Sequence, residues 1–238
     1  MKSEPVVLAL TGASGAPYGV RLLEVLIRSR VNVWLVVSSH GWRLLRQECG
    51  ISSLAALQKA TGGRRQWGSV TSFDDGDRGA RPASGSARTA GMVVCPCSMG
   101  TLAAIAHGTS RSLVERAADV TLKERRRLIL VTRETPLSLV HARNIVSATE
   151  AGAIVMPAAP GFYHRSTGVD QLVDFIVQRV LDQLGVDAEI APRWGGSVGA
   201  WERRSVGAGA SESDRVETRT HKTHKTHKTR VTRATRKR

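Results

Sequence analysis

Hydroxyl groups and glycines directly follow two short apolar runs of the chain. Residues 11–15 (Thr-Gly-Ala-Ser-Gly) come after the run at 6–10, and residues 98–101 (Ser-Met-Gly-Thr) come after the run at 92–95. Glycines let the backbone turn sharply toward a ligand, and hydroxyls beside the first amides of a helix suit an anion such as phosphate. Each stretch alone also fits a turn that binds nothing. Together they favour a ligand that carries a phosphate.

Charged side chains follow another apolar run and share a face of the helix before it. Arg133 and Glu134 come after residues 127–132. Such a pair can clamp a phosphate and move a proton, or it can form a surface ion pair. Arg116 and Lys123 are seven positions apart and lie on one helix face with Asp119, where they can add positive charge near an anion. A solvated face remains the alternative for this second group.

Three other features are more ambiguous. Ser38 follows a β-branched run and can cap a helix or contact a ligand. Tyr163 lies in a loop made rigid by two prolines and a glycine, which can form a ligand wall or simply pack. Cys95 and Cys97 are separated by one residue, and no second cysteine pair exists, so their spacing argues against a metal site.

The elements that must position these residues alternate along the chain. Apolar runs predict strands at 6–10, 31–37, 92–95, 127–132 and 153–156. Helical spacing predicts helices at 17–30, 41–49, 52–60, 98–107, 112–125, 136–151 and 169–184. Residues 61–89 have no clear period and predict an irregular segment. Alternation of this kind predicts an α/β fold with a parallel sheet between two helix layers, and ligands bind such sheets beyond the carboxyl ends of the strands.

Charge and composition divide the chain into two parts. The 238 residues carry a net charge of +15, and 12 basic against 4 acidic residues between 202 and 238 account for +8 of it. That segment, with three Thr-His-Lys repeats, predicts a disordered basic tail after a single domain at 1–201. The tail can be a dispensable solubilising segment, or it can contact nucleic acid or an acidic surface. Short apolar runs, the lack of a leader-like segment and the odd cysteine count favour a cytoplasmic protein without a membrane span.

Seven stretches, in order between about residues 6 and 194, resemble the UbiX-type flavin prenyltransferases. No single stretch is specific, but the combination is. The stretches are 11–16, 82–86, 95–98, 115–120, 122–126, 133–136 and 157–164. Arg127 replaces a proline that is frequent in the family, and the tail has no counterpart in the family pattern.

The resemblance implies a Rossmann-like (flavodoxin-like) three-layer sandwich that acts on FMN. It implies transfer of a dimethylallyl group from dimethylallyl monophosphate to N5 and C6 of reduced FMN, without a metal. The product, prenylated FMN, serves UbiD-type decarboxylases, including the one of ubiquinone biosynthesis. The family is typically a homo-dodecamer with active sites at subunit interfaces.

The resemblance also assigns roles to individual residues. Those that would contact FMN are Gly12, Ala13, Ser14, Ser38, Ser98, Met99, Gly100, Thr101 and Arg133. Tyr163 and Arg179 would bind dimethylallyl monophosphate. Those that would act in catalysis are Ser14, Glu134, Lys123, Arg116 and Trp194. Lys and Arg would stabilise the departing phosphate, Trp194 would face the allylic cation, and Glu134 with Ser14 would handle protons.

Two other functions remain open at this point. An FMN-dependent decarboxylase of the related flavoprotein class would need an active-site histidine, and His40 is a weak candidate for it. A non-catalytic flavin-binding protein, or a nucleic-acid-binding protein that acts through its tail, is the other alternative.

Overall fold

A computed structural model describes residues 4–163 and 165–193. Within those ranges the chain forms six strands, which are β1 Val6–Leu10, β2 Val33–Val37, β3 Val70–Phe73, β4 Gly91–Cys97, β5 Leu128–Thr132 and β6 Ile154–Pro157. The same ranges contain seven α-helices, which are α1 Ala16–Arg28, α2 Ser39–Cys49, α3 Leu54–Ala60, α4 Met99–Ala106, α5 Leu113–Lys123, α6 Leu139–Glu150 and α7 Val169–Leu184. Trp194 and the predicted tail at 202–238 lie outside the described residues.

All six strands join one parallel sheet in the order β3-β2-β1-β4-β5-β6. In β1, Val6 pairs with Val33 of β2 on one side and with Gly91 of β4 on the other. The chain therefore winds outward from β1 in one direction and then crosses back to continue in the other. Sheets of this kind leave a crevice at the carboxyl ends of the two central strands, which here are β1 and β4.

Helices cover both faces of this sheet and make it a three-layer sandwich, which confirms the predicted fold class. Alternate residues of β1 point to opposite faces. Leu8 lies in a core cluster with residues of α1 and α7, whereas Val7 and Ala9 lie in a second cluster with residues of α4 and α5. Burial on both faces explains why the strands read as continuous apolar runs.

The segment at 61–89, which the sequence predicts to be irregular, contains regular secondary structure. Residues 61–89 contain the edge strand β3 and two short 3₁₀ turns, at Trp67–Ser69 and Arg81–Ala83. β3 has only four residues, and Thr71 and Ser72 are exposed, so it lacks the apolar signal of the other strands. Its pairing with β2, from Val33 with Val70 to Val36 with Phe73, forms it instead.

Serine side chains cap the starts of several helices. Ser38, Ser98, Ser112 and Ser138 each accept a hydrogen bond from an amide of the first turn of α2, α4, α5 and α6. Ser138 also explains why α6 begins at Leu139 rather than at the predicted residue 136. In the part of the chain described, no helix combines the length and apolar character needed to cross a membrane.

Candidate flavin site

Thr11 joins the ends of the two central strands. Its hydroxyl donates to the carbonyl oxygen of Pro96 at 2.9 Å and accepts from the amide of Ser98 at 2.9 Å. Thr11 is 3% exposed, and its bond to Pro96 is buried, whereas its bond with Ser98 is partly buried. The loop after β1 and the start of α4 are thereby held together at the crevice.

A cavity of about 370 Å³ opens at this crevice, a size typical of small-molecule sites. The residues that follow β1, β2, β3 and β4 line this cavity, and the start of α5 closes it. Its lining consists of Thr11, Gly12, Ser38, Ser39, His40, Asp75, Ser98, Thr101, Ser112, Val114 and Glu115. Six hydroxyl groups and two carboxyl groups in one cavity suit a polar ligand with many hydrogen-bonding groups.

Glycine is needed on one wall of this cavity. A Cβ at Gly12 would lie 2.5 Å from the Cβ of His40, closer than real Cβ contacts allow. A Cβ at Gly41 would overlap the carbonyl oxygen of Leu10. The loop after β1 therefore packs directly on the start of α2, and both glycines preserve the narrow crevice.

Three of the lining hydroxyls, those of Ser38, Ser98 and Ser112, also cap helices. Ser38 Oγ accepts from the amide of Gly41 at 3.1 Å, and Ser98 Oγ accepts from the amide of Thr101 at 3.1 Å. The hydroxyls of Ser98 and Thr101 lie 2.9 Å apart. The capping role of Ser38 is real, and it does not remove the residue from the cavity.

The start of α1 differs from the sequence-based expectation. The amides of Gly15 and Ala16 both donate to Glu48 Oε2 at 2.8 Å, so a carboxylate of the chain itself occupies the predicted anion position. Negative charge is favoured there by the helix dipole and by charge-assisted hydrogen bonds. Gly15 has φ +120°, a conformation that favours glycine, and the turn it makes presents its amide to Glu48. Glu48 thus fixes the loop that carries Ser14.

Arg133 reaches the same loop from β5. Its Nε donates to the carbonyl oxygen of Ser14 at 3.1 Å. Glu134 is exposed, and its Oε1 accepts from the amide of Thr135 at 3.1 Å. Arg133 and Glu134 therefore do not form the direct surface ion pair that the sequence left open as an alternative. Glu134 lies exposed, just after the end of β5.

Two of the predicted phosphate-binding cations have carboxylate partners. Arg116 Nη1 lies 2.7 Å from Asp119 Oδ2, and Lys123 Nζ lies 2.6 Å from Glu124 Oε1. A Cβ at Gly85 would lie 2.8 Å from Lys123 Nζ, which places Lys123 against the 82–86 stretch. A phosphate that bound here would have to displace these carboxylates from the two cations or bind the cations together with them.

Tyr163 and Arg179 line a different cavity, of about 310 Å³, that lies on α7 and shares no lining residue with the first. The Tyr163 ring packs edge-on against Phe175, with centroids 5.7 Å apart. Arg179 Nη1 donates to Asp182 Oδ2 at 3.3 Å. The structure therefore brings these two residues together, as expected for one ligand, but apart from the cavity at the crevice.

The remaining predicted residues lie around the crevice. Gly12, Ser38, Ser98 and Thr101 line the cavity, and Ala13 and Met99 have buried side chains, which leaves only their backbone for a ligand. Gly100 lies in the first turn of α4. Sequence reasoning missed Asp75, which follows the unpredicted strand β3 and accepts from the amide of Val114 at 3.0 Å. It also missed Glu48, a helix residue whose type and spacing gave no signal.

Cys95 and Cys97 behave as buried residues. Burial raises the pKa of both the Cys95 and the Cys97 thiols far above its ordinary value, so both stay protonated. Among residues 4–163 and 165–193 no group of three metal-ligating side chains comes together.

A doubly wound parallel sheet with a hydroxyl-lined cavity at its central crevice is typical of nucleotide- and flavin-binding proteins. The chain matches the family described as Flavoprotein over residues 1–181. It is 44% identical to the flavin prenyltransferase UbiX of Pseudomonas aeruginosa over 197 residues, which cover 81% of this chain and 94% of the relative. It is 43% identical to that of Synechocystis over 202 residues, 82% of this chain and 98% of the relative.

Solved structures agree with these relatives. AnUbiX (PadA1), in complex with FMN and dimethylallyl pyrophosphate, has a TM-score of 0.74 and 39% identity over 82% of this chain and 98% of its own. A dodecameric FMN-dependent UbiX-like decarboxylase from Escherichia coli O157:H7 has a TM-score of 0.73 and 40% identity over 81% of this chain and 100% of its own. The chain belongs to the Flavoprotein family and, within it, to the UbiX-type flavin prenyltransferases.

Proposed function

We propose that the chain transfers the dimethylallyl group of dimethylallyl monophosphate to N5 and C6 of reduced FMN and releases phosphate. The cavity at the central crevice carries this proposal, because residues after four consecutive strands of the sheet build it and four of them match the predicted FMN contacts. Relatives named flavin prenyltransferase that cover most of the chain support the reaction. A neighbour that holds FMN and a dimethylallyl phosphate ester supports the ligands.

The residues present fit FMN. Gly12 keeps one wall free of side chain, and Ser38, Ser98 and Thr101 offer hydroxyls for the ribityl chain and phosphate. Arg133 would add the positive charge that a phosphate requires. Ala13, Ser14, Met99 and Gly100 would complete the contacts through the two loops that Thr11 holds together.

Bound in its reduced form, FMN supplies the electron-rich ring positions that receive the prenyl group. The side chains of the chain supply the rest. Arg116, Lys123 and Arg179, with the Tyr163 hydroxyl, would bind the donor's phosphate and stabilise the charge that develops as the C–O bond breaks. A monophosphate carries less charge than a diphosphate, so side-chain cations are sufficient without a metal.

Proton transfer falls to groups near the loop after β1. Glu134 is exposed beyond β5, and Ser14 is held by Arg133, so both can serve a proton that leaves the ring. Trp194 would face the allylic group. Glu48 would act indirectly, because its carboxylate fixes the backbone of the loop that carries Ser14.

A homo-oligomer would bring the two cavities together. Tyr163 and Arg179 lie away from the crevice of their own chain, so they would complete the site of a neighbouring copy. Exposed apolar side chains of α6, namely Leu139, Val140 and Val146, together with Phe162, offer a surface for that contact. The dodecameric neighbour from E. coli supports an assembly of twelve copies.

The proposal extends to the product and to the remainder of the chain. Prenylated FMN would pass to a UbiD-type decarboxylase in the cytoplasm. Residues 1–201 would form the catalytic domain, and the basic segment 202–238 would be dispensable for turnover, with nucleic acid or an acidic surface as a lesser alternative. Removal of residues 205–238 should leave prenyl transfer unchanged.

A matched pair of serine variants tests the assignment of the cavity to FMN. Ser98 and Ser53 both cap a helix through an amide at 3.1 Å, but only Ser98 lines the cavity. Each change to alanine should lower stability by about 1 kcal/mol. Only Ser98→Ala should also weaken FMN binding, by about tenfold if one hydrogen bond is lost. Equal FMN affinity in the two variants would place FMN elsewhere.

One observation favours a second candidate, an FMN-dependent decarboxylase. His40 lines the cavity, where an acid–base histidine of that class would be required. A structure of a phosphopantothenoylcysteine (PPC) decarboxylase shares only the fold, at 18% identity. Release of CO₂ from a cysteine-derived carboxylic acid by the FMN-loaded protein, and its loss in His40→Ala, would support this candidate. Prenylated FMN without any CO₂ would dismiss it.

A further inference from the structure

Asp182, on the last turn of α7, holds two arginines at once. Arg193 Nη2 donates to its Oδ1 at 2.9 Å, and Arg179 Nη1 donates to its Oδ2 at 3.3 Å. The Asp182 side chain is only 17% exposed, whereas each arginine side chain is 54% exposed. One carboxylate therefore sets two accessible guanidinium groups side by side on the wall of the cavity that Tyr163 also lines.

A buried amide fixes the segment that brings Arg193 there. Gln178 is 3% exposed, and its Nε2 donates to Asp182 Oδ1 and to the carbonyl oxygen of Ala188, both at 2.9 Å. Its Oε1 accepts from the amide of Ile190 at 2.8 Å. Both donors and the acceptor of Gln178 are used, so the segment after α7 is tied to the helix at two points. The position of Arg193 is therefore built into the packing.

The charges of this group persist across the physiological pH range. Burial acts to raise the pKa of the Asp182 carboxyl, but hydrogen bonds from Arg193 and Gln178 and the charges of both arginines outweigh it, so the pKa lies below its usual value. The hydrogen bond and charge of Asp182 raise the pKa of Arg193, with smaller contributions from Glu189 and Asp187. The Arg193 guanidinium thus stays cationic.

Each guanidinium keeps donors for a ligand. A guanidinium has five N–H donors in a rigid fork. Among the hydrogen bonds of the described residues, each of these two arginines uses a single nitrogen, on Asp182. The remaining N–H groups can bind a phosphate in the bidentate manner that suits arginine rather than lysine.

We propose that Arg193 is a second phosphate-binding arginine of the prenyl-donor site and that Asp182 is the positioning residue that aligns it with Arg179. This inference rests on the proposed function, which assigns Tyr163 and Arg179 to the donor. It adds a binding residue to that site, and it explains why a carboxylate lies beside a group that must attract an anion.

Binding is measured apart from turnover, so that the two proposals can fail separately. The full chain is loaded with oxidised FMN, which prevents transfer, and titrated with dimethylallyl monophosphate in a calorimeter. Variants are Arg193→Gln, Arg193→Lys and Asp182→Asn. Arg28→Gln is the matched control, because it removes another exposed, carboxylate-paired arginine, on α1.

The Arg193→Gln variant should raise the Kd for dimethylallyl monophosphate about 10- to 100-fold, the value of one charged hydrogen-bonding group. Arg193→Lys should recover only part of that loss. FMN affinity and melting temperature should match the control. In the reduced enzyme the loss should appear as a higher KM for the donor, with a smaller change in kcat.

The Asp182→Asn variant separates positioning from simple electrostatics. If Asp182 only diluted the positive charge, its removal would tighten binding of the phosphate ester. Positioning predicts weaker binding, by about 3- to 10-fold, with Arg193 still present. Tighter or unchanged binding in Asp182→Asn would refute the positioning role, and an unchanged Kd in Arg193→Gln would refute the binding role. Loss of affinity in a protein that forms no prenylated FMN would refute the proposed reaction and leave the phosphate site standing.

Discussion

Replacement of Thr11 by valine tests whether one hydroxyl joins the two loops of the candidate flavin site. Valine has nearly the same shape, so the change leaves no large cavity and removes only the polar group. It removes the stronger of two donors to the carbonyl oxygen of Pro96, which keeps the Thr11 amide at 3.2 Å, and it removes the acceptor that the Ser98 amide has at 2.9 Å. Thr11 is 3% exposed, so water does not readily replace its hydroxyl at the buried bond to Pro96, whereas the bond with Ser98 is only partly buried.

The expected loss follows from these two bonds. The unsatisfied Ser98 amide costs about 1–3 kcal/mol and the lost hydroxyl bond to Pro96 about 1 kcal/mol, which brings the total to about 2–4 kcal/mol. For a domain of this size that corresponds to a fall in melting temperature of roughly 5–15 °C. Because Ser98 then loses its anchor, FMN affinity should also fall, by about tenfold or more.

Thr11→Ser is the control, because it keeps the hydroxyl and removes only a methyl group. It should lower stability by about 1 kcal/mol and leave FMN affinity close to that of the parent protein. Thermal unfolding and FMN titration, carried out on both variants at one protein concentration, give the comparison. If Thr11→Val and Thr11→Ser have the same stability and the same FMN affinity, the hydroxyl does not join the loops and the reasoning is wrong.

Three other predictions concern the same molecule. Gly12→Ala should weaken FMN binding at least about tenfold in a fluorescence titration, because its Cβ would lie 2.5 Å from the Cβ of His40; unchanged affinity would show that the crevice can widen. Glu134→Ala should keep FMN bound and lower turnover about 100-fold or more, and full turnover would remove Glu134 from proton transfer. Arg111 holds the pKa of the Glu115 carboxyl below its usual value against the opposing effect of burial, as Arg193 does for Asp182. The Glu115 and Asp182 carboxyls therefore bind protons more readily in the unfolded chain than in the folded one. The stability that the two carboxylates contribute is complete above about pH 4.5, and it should disappear as pH falls through their lower folded-state pKa values. Denaturant unfolding from pH 6 to pH 3 measures this, and Glu115→Gln should flatten the profile; an unaltered slope would contradict the assignment.

Much of the sheet could be predicted because burial dictates its sequence. β1 forms at Val6–Leu10, as predicted, since a strand buried on both faces is a continuous apolar run. The amphipathic spacing of α7 gave Val169–Leu184 without error. β3 could not be predicted, because an exposed edge strand of four residues owes its conformation to pairing with β2 rather than to its own composition.

The candidate site could be predicted where polar residues come directly after a strand. Ser38 and Ser98 come directly after β2 and β4, so the parallel fold places them in one cavity. Glu48 lies within α2, and nothing in the local sequence shows that its carboxylate folds back to the start of α1. Asp75 was missed together with β3. Contacts between residues remote in sequence depend on packing, which local patterns do not contain.

The mass of the flavin after one anaerobic incubation tests the central claim most directly. The protein is mixed with FMN, dithionite and dimethylallyl monophosphate in a buffer that contains a metal chelator, and the flavin is analysed by mass spectrometry and absorbance. The account predicts FMN heavier by one five-carbon prenyl unit, with one phosphate released for each prenyl group transferred. Unmodified FMN, recovered from protein that is folded and has bound the flavin, would contradict it.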